Sequence, residues 1–350
     1  ISVLALVFTA CSSDDNTSSQ SQDEVTKQEV MVNYASIVLQ NYQDAYTDAT
    51  TLQMVLETLL DAPSEVSHNN AKQAWKTARE SYGSTEAFRF ASGPIDDEDG
   101  PEGLLNAWPL DENYIDYVEG ASDSGIINNL ATYPSITKEL LESFNEQGGE
   151  ANISIGYHAI EFLLWGQDNT SPMDNQAGLR PFTDFVDGGT AENQDRRGQY
   201  LAACAELLLD HLQLMLDEWA VGGAYQTIFL ALDEDVAIKN MLTGIATLSK
   251  SELAGERMFV ALSNQDQEDE HSCFSDNTHR DIRLNLEGIK NVYQGTYGSI
   301  SGASLEDLVD QESETTGDTI SNQLTAALAD VEATGIPFDL AIVDGSSSAE

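Results

Sequence analysis

The chain is expected to be all-α, and three observations support that class. Apolar residues recur at spacings of three and four along most of its length; between Gln199 and Trp219, Leu201, Cys204, Leu208, Leu212, Met215 and Trp219 fall on one helical stripe. No run of alternating apolar and polar residues is closed by hairpin turns, so sheet is not expected. Of the 350 residues 41% are hydrophobic, too many for a disordered chain despite a formal net charge of −45. At roughly 100–200 residues per domain the length suggests two units. The expected architecture is therefore two helical bundles, arranged as in a pseudo-duplication.

The segments follow in order. Residues 1–24 read as signal and tether. Ile1 to Ala10 is a short apolar run ending in small residues, too short to span a bilayer; it fits the end of a signal-peptide core whose start is missing. Phe8-Thr9-Ala10-Cys11 is similar to a bacterial lipobox, in which the cysteine is lipidated; a plain cleaved signal with an incidental Cys11 is the alternative. Both make the protein exported, and an acyl anchor on a Ser/Asp/Gln tether would be its only engagement with a membrane. Residues 25–190 form the expected first bundle, with helical spacing over 25–60, 65–91 and 135–146. Gly93-Pro94, Gly100-Pro101 and Trp108-Pro109 mark a long irregular connection across 92–112. Asp187-Gly188-Gly189 precedes a second bundle, 191–335, with helices over 199–219, 234–263, 278–294 and 315–333. Residues 336–350 are a tail.

Asp and Glu number 60 against 15 Lys and Arg, of which 7 are Lys. Such a polyanion repels phosphate backbones, so nucleic acid is excluded as a natural partner, and cations are attracted. A carboxylate-rich, lysine-poor surface points to a marine or saline habitat, so most of the charge is read as adaptation rather than site chemistry. Apart from Cys11, the cysteines are Cys204 and Cys273, either one disulfide in an oxidising compartment or two buried thiols.

Three segments carry chemistry. In Gly156-Tyr157-His158-Ala159-Ile160-Glu161 the His and Glu are three apart, on one face of a helix, where they can converge on a cation or close a polar network by hydrogen-bonding each other. No HExxH or HxxEH pattern occurs among the five His. The stretch from Gln267 to Asp281 gathers Glu270, His271, Cys273, Ser275, Asp276, His279 and Arg280 ahead of a helix, either as a site or as an acidic loop with a cap. The stretch from Trp75 to Asp96, followed by Glu102 and Asn106 to Asp111, holds Arg79, Glu86, Arg89, Asp96, Trp108 and Asp111; with Glu256 and Arg257 it places scarce arginines beside acids, as ion pairs that organise the core or bind an anionic group.

Taken together, GYHAIEFLLWG, TEAFRFASGPID, NAWPLD and EDEHSCFSDNTHRD resemble the imelysin family, in its branch similar to iron-regulated protein A, over roughly residues 30–300. The resemblance implies a bacterial protein, exported or lipid-anchored in the periplasm or on the surface, with two helical bundles and a site between them near the GxHxxE motif. It also implies iron-linked regulation and a role in iron uptake, while the family's founding name comes from an insulin-cleaving membrane protease. By carry-over, His158 and Glu161 are the motif pair, met by Glu270, His271, Asp276 and His279 from the second bundle.

The expected function is metal binding, iron favoured and zinc the alternative, with His158, Glu161 and Glu86 as ligands. Arg79, Arg89, Asp96, Trp108, Asp111, Glu256, Arg257, Glu270, His271, Ser275, Asp276 and His279 are expected around them. A His/carboxylate set without thiolate suits such a cation. The expected partners are the metal ion or a small iron-containing ligand, and an envelope transport partner. The alternatives are a metallopeptidase using the same pair, disfavoured because no second motif His is present, and a non-enzymatic protein that binds a small ligand or iron carrier.

Overall fold

A computed structural model describes residues 24–343, and over them the chain is all-α. The segment containing Cys11 lies outside the described residues, as does the end of the tail. No helix among the described residues is long and apolar enough to cross a membrane.

Helix α1 (Lys27–Asp61) starts at a capping box, with Thr26 Oγ1 accepting from Glu29 N and Glu29 returning to Thr26 N. Its inner stripe, from Val30 and Met31 through Tyr42 to Leu56 and Leu59, is buried against α2 (Glu65–Gly83) and the long α4 (Gln194–Trp219). Between these lies α3 (Tyr157–Trp165), every residue of which is buried. On α4 the expected stripe, Leu201 to Trp219, is buried throughout. Next come α5 (Ala224–Leu230), which periodicity did not reveal, and α6 (Glu234–Thr247). The chain then runs through π-helix from Leu248 to Val260. Helix α7 (Thr278–Gln294) packs on α2, on the 3-10 turn Ser84–Phe88 and on the π segment. A two-residue ribbon, β1 (Thr296–Tyr297) with β2 (Ile300–Ser301), leads to α8 (Leu305–Ala333) and the short α9 (Asp339–Val343).

Several boundaries differ from the periodicity, each for a local reason. The helix expected over 65–91 ends at Gly83, because Asn41 Nδ2 takes the Ser81 carbonyl at 2.7 Å and Thr85 Oγ1 takes that of Tyr82, side chains competing with the helical ladder. The helix expected from 315 begins at Leu305 behind a Ser304 capping box, with non-helical backbone at Ser313 where the apolar period resumes. The ribbon places Tyr297 on a strand, where its hydroxyl accepts from Asn41 Nδ2. Cys204 and Cys273 are both buried and unbonded, so the thiol reading holds.

The irregular stretch from 92 to 152, with only short helical turns, wraps one side of α4. It is anchored by Asp116, whose carboxylate receives Arg180 Nη1 at 2.6 Å and Arg197 Nε at 2.7 Å, all three fully buried. Burial alone would raise this carboxyl, but the two guanidiniums outweigh it and hold it at about 2.

Candidate functional site

Gly156 opens α3 with φ +88°, and a Cβ there would sit 2.7 Å from the Leu105 carbonyl oxygen. The motif glycine thus lets the helix start directly against the 102–105 turn. One turn on, His158 Nδ1 lies 2.9 Å from Glu161 Oε2, with both side chains sealed from solvent. The other oxygen of Glu161 accepts from Ser275 N at 3.0 Å and Ser275 Oγ at 2.6 Å. Burial pushes the Glu161 carboxyl up to about 8 and the His158 imidazole well below its ordinary value, with His271 adding to the latter. Burial thus disfavours charge on both partners, and with the ring proton on Nδ1 the Nε2 atom keeps its lone pair. His158 Nε2 is buried with no hydrogen-bond partner.

His271 comes to the same place from the 265–277 segment, its ring centroid 4.6 Å from that of His158 at an interplanar angle of 76°. It repeats the arrangement: Nδ1 lies 2.9 Å from Asp281 Oδ2, and Asp281 also accepts from Ser272 Oγ and from Arg79 Nη2 at 2.9 Å. Burial opposes the charge on Asp281, but Arg79 and His271 hold it well below the usual carboxylate range. Burial, with Arg257 adding, lowers His271 to about 4. Two neutral imidazoles, each oriented through Nδ1 by a buried carboxyl group, are thus set side by side, the second-sphere pattern that fixes a histidine for ligation through Nε2. Trp108 packs over them, 5.0 Å from His158 and 6.3 Å from His271, with Phe274 5.8 Å from Trp108.

His271 and Trp108 form one wall of a cavity of about 410 Å³, which Arg89, Glu102, Glu252 and Arg257 also line. Glu86, expected as a metal ligand, is instead the centre of an arginine cage beside this cavity. It accepts from Arg257 Nη2 at 2.6 Å, Asn106 Nδ2 at 3.2 Å and Arg89 Nη1 at 3.4 Å. Burial would raise its pKa, but Arg257, Arg89, His271 and Arg79 outweigh it and bring it to about 2. Oε2 is thus occupied by the two guanidiniums and Oε1 by the Asn106 amide, so a metal at Glu86 would have to displace one of these partners. Arg89 is shared among Glu86, Asp96, Glu102 and Glu252, and neutralises none fully; at Glu102 burial wins and raises the carboxyl to about 7.

The other expected residues separate. Ser275 joins the pair, and Glu256 is an exposed part of the cavity rim. Asp96 holds Arg89 and the Phe90 amide. Asp111 is exposed and caps the turn at Glu112–Ile115. His279 lies half-buried on the first turn of α7. Glu270 and Asp276 belong to a separate acidic cluster. Sequence reasoning assigned no role to Asp281 or Asn285. Both are polar residues on the buried face of α7, and Asn285 Oδ1 accepts from Arg257; a polar side chain on an amphipathic helix's apolar face was the available signal.

Among the described residues no three His, Cys, Asp or Glu side chains are arranged to hold a metal ion. The donor chemistry therefore fits a metal only in part: two nitrogens with their supporting carboxyl groups, and no third protein donor.

The family model for imelysin (peptidase M75) matches residues 38–350. The chain is 26% identical over 328 residues to iron-regulated protein A of Synechococcus elongatus, covering 93% of this chain and 78% of that protein. Among solved structures, a protein described as an iron-regulated protein A precursor from Parabacteroides distasonis superposes with a TM-score of 0.64 at 19% identity, covering 94% of this chain and 91% of that one. An imelysin-like protein from Psychrobacter arcticum superposes with a TM-score of 0.60 at 13% identity, covering 90% and 88%. These two share its helical fold, and the family match spans the GxHxxE helix, the arginine cage and the His271 segment alike: the chain belongs to the imelysin family.

Proposed function

We propose that this protein binds iron as cargo in the bacterial cell envelope, taking it between His271, on the wall of the cavity, and His158 packed against that histidine. One observation carries the reading: His158 Nε2 is buried without a hydrogen-bond partner, beside a second histidine that is likewise held through Nδ1 by a buried acidic side chain. An orphaned imidazole nitrogen in a dry site is costly unless a ligand satisfies it. Nitrogen donors suit iron and zinc alike, and the relative named iron-regulated protein A favours iron. With two protein nitrogens only, the remaining coordination positions fall to ligands that arrive with the metal, so a small iron-containing complex fits the cavity better than a bare ion. Export, a lipid on Cys11 and delivery to an envelope transporter belong to the same reading.

The peptidase reading is weaker. Glu161, which would serve as its base, already has one carboxyl oxygen taken by Ser275 and the other by His158, which leaves neither free to activate a water.

The test is calorimetric titration of the purified protein with ferrous iron, zinc and manganese under a competing weak chelator. The expected result is one tight equivalent that is lost in His158→Gln/His271→Gln, with near-ultraviolet dichroism showing that the fold survives. Equal uptake by wild type and double variant overturns the assignment.

A further inference from the structure

Four carboxyl groups outside this site come from three distant segments. Asp168 lies in the loop after α3, Glu270 and Asp276 in the 265–277 segment, and Asp339 at the start of α9. Asp168, Glu270 and Asp339 are 4%, 1% and 4% exposed. Glu270 Oε1 and Asp339 Oδ1 are buried with no hydrogen-bond partner. The carboxyl groups of Asp168 and Asp276 lie within hydrogen-bonding reach of each other, and the charges acting most strongly on Glu270 are those of Asp339, Asp276 and Asp168. Gln267 Nε2 ties the same two segments together through the carbonyls of Asp168 and Thr170, at 2.9 and 3.1 Å.

Other buried acids among the described residues have close partners, Glu161 in His158 and Ser275. Glu86, Asp116 and Asp281 each receive at least one buried guanidinium. Here the cation that acts on the cluster is Lys76, and it reaches Asp276 only at range. Gathering four partly buried acids without matching positive charge is unfavourable unless the charge comes from outside the chain. We infer that this cluster binds a hard divalent cation of the calcium class, which clasps α9 to the loop after α3 and to the Glu270–Asp276 turn. All four donors are carboxylate oxygens, with no nitrogen or sulfur among them, and a cation that takes six to eight oxygens at flexible distances suits them better than a small octahedral one. No three of the groups yet surround one point, so binding draws them together. The short helix that carries Asp339, packed on the turn at Pro172–Asp174, tightens as they close.

The test is titration of the whole protein with calcium chloride and, separately, magnesium chloride at neutral pH and roughly 0.15 M salt, where bulk surface charge is screened. We expect one calcium equivalent and weaker magnesium uptake. Asp339→Asn and Glu270→Gln should each weaken calcium binding roughly tenfold or more. His158→Gln/His271→Gln should leave it unchanged, so this result stands or falls apart from the iron reading. A surface control, Asp97→Asn/Glu98→Gln, alters exposed acids only. Both cluster variants remove repulsion and should fold. Calcium should also slow proteolysis at α9 in the wild type but not in the variants. Absence of calcium uptake, uptake unchanged in both cluster variants, or an equal loss in the surface control overturns the proposal.

Discussion

Replacing Glu86 by Gln tests whether the arginine cage is a principal support of the site. The carboxylate is buried between Arg257 and Arg89, and its pKa falls from 4.5 to about 2. At ~1.36 kcal/mol per pKa unit, that depression corresponds to roughly 3 kcal/mol of stability near pH 7. Because the folded value lies below the unfolded one, this contribution is complete above 4.5 and is lost as pH falls toward 2. The expected difference between wild type and Glu86→Gln is about 3 kcal/mol at pH 7, nearly the same at pH 5, and about 2 kcal/mol at pH 3.5. Urea unfolding followed by far-ultraviolet dichroism at those three pH values measures it. A difference below about 1 kcal/mol at pH 7, or one that does not shrink on acidification, would refute the claim that ionised Glu86 is what Arg257 and Arg89 are gathered around.

Glu102 has the opposite sign. Its folded value of about 7 lies above the ordinary 4.5, so its contribution is complete below 4.5 and lost as pH rises through 7. Between pH 5 and 8 the wild type should lose roughly 2–3 kcal/mol more than Glu102→Gln, read by the same denaturation series. Asp116→Asn leaves Arg180 and Arg197 buried without their shared carboxylate and should cost roughly 3–5 kcal/mol in urea unfolding. Gly156→Ala must place a methyl 2.7 Å from the Leu105 oxygen at φ +88°, and should cost about 2 kcal/mol or more while lowering metal uptake by shifting His158. Unchanged thermal unfolding in that variant would mean that α3 does not depend on this close approach.

Much of the fold was legible because its helices keep a strict period. The stripe from Leu201 to Trp219 is buried residue for residue. The GxHxxE motif was legible too, since three-residue spacing on a helix brings His158 and Glu161 together whatever surrounds them. Of the two readings of that pair the hydrogen bond is the one present, through Nδ1, while Nε2 is left without a partner. Glu86 shows the limit. The sequence displays its neighbour Arg89 three residues away, yet the partner that decides its chemistry, Arg257, is 171 positions distant. Asp281 was likewise in view within an acidic stretch, but its contact with Arg79 spans 202 positions. Long-range ion pairing leaves no periodic trace, so donors and cage residues could not be told apart before the elements were packed.

The π-helix from Leu248 to Val260 has a geometric consequence for the cavity. In an α-helix each residue advances about 100°, so residues five apart point about 140° away from each other. A ladder bonded five residues apart brings such residues nearly one above the other. Glu252 and Arg257 are five apart, lie 3.4 Å from each other and face the same cavity together with Glu256. The wide winding thus sets a negative and a positive group on one line of the wall, an alignment that ordinary helix forbids. If the same residues were wound as ordinary helix, either Glu252 or Arg257 would turn out of the cavity and the cage around Glu86 would open; deleting exposed Ala254 brings the two to a spacing of four, about 40° apart on an α-helix, and should keep both on the wall.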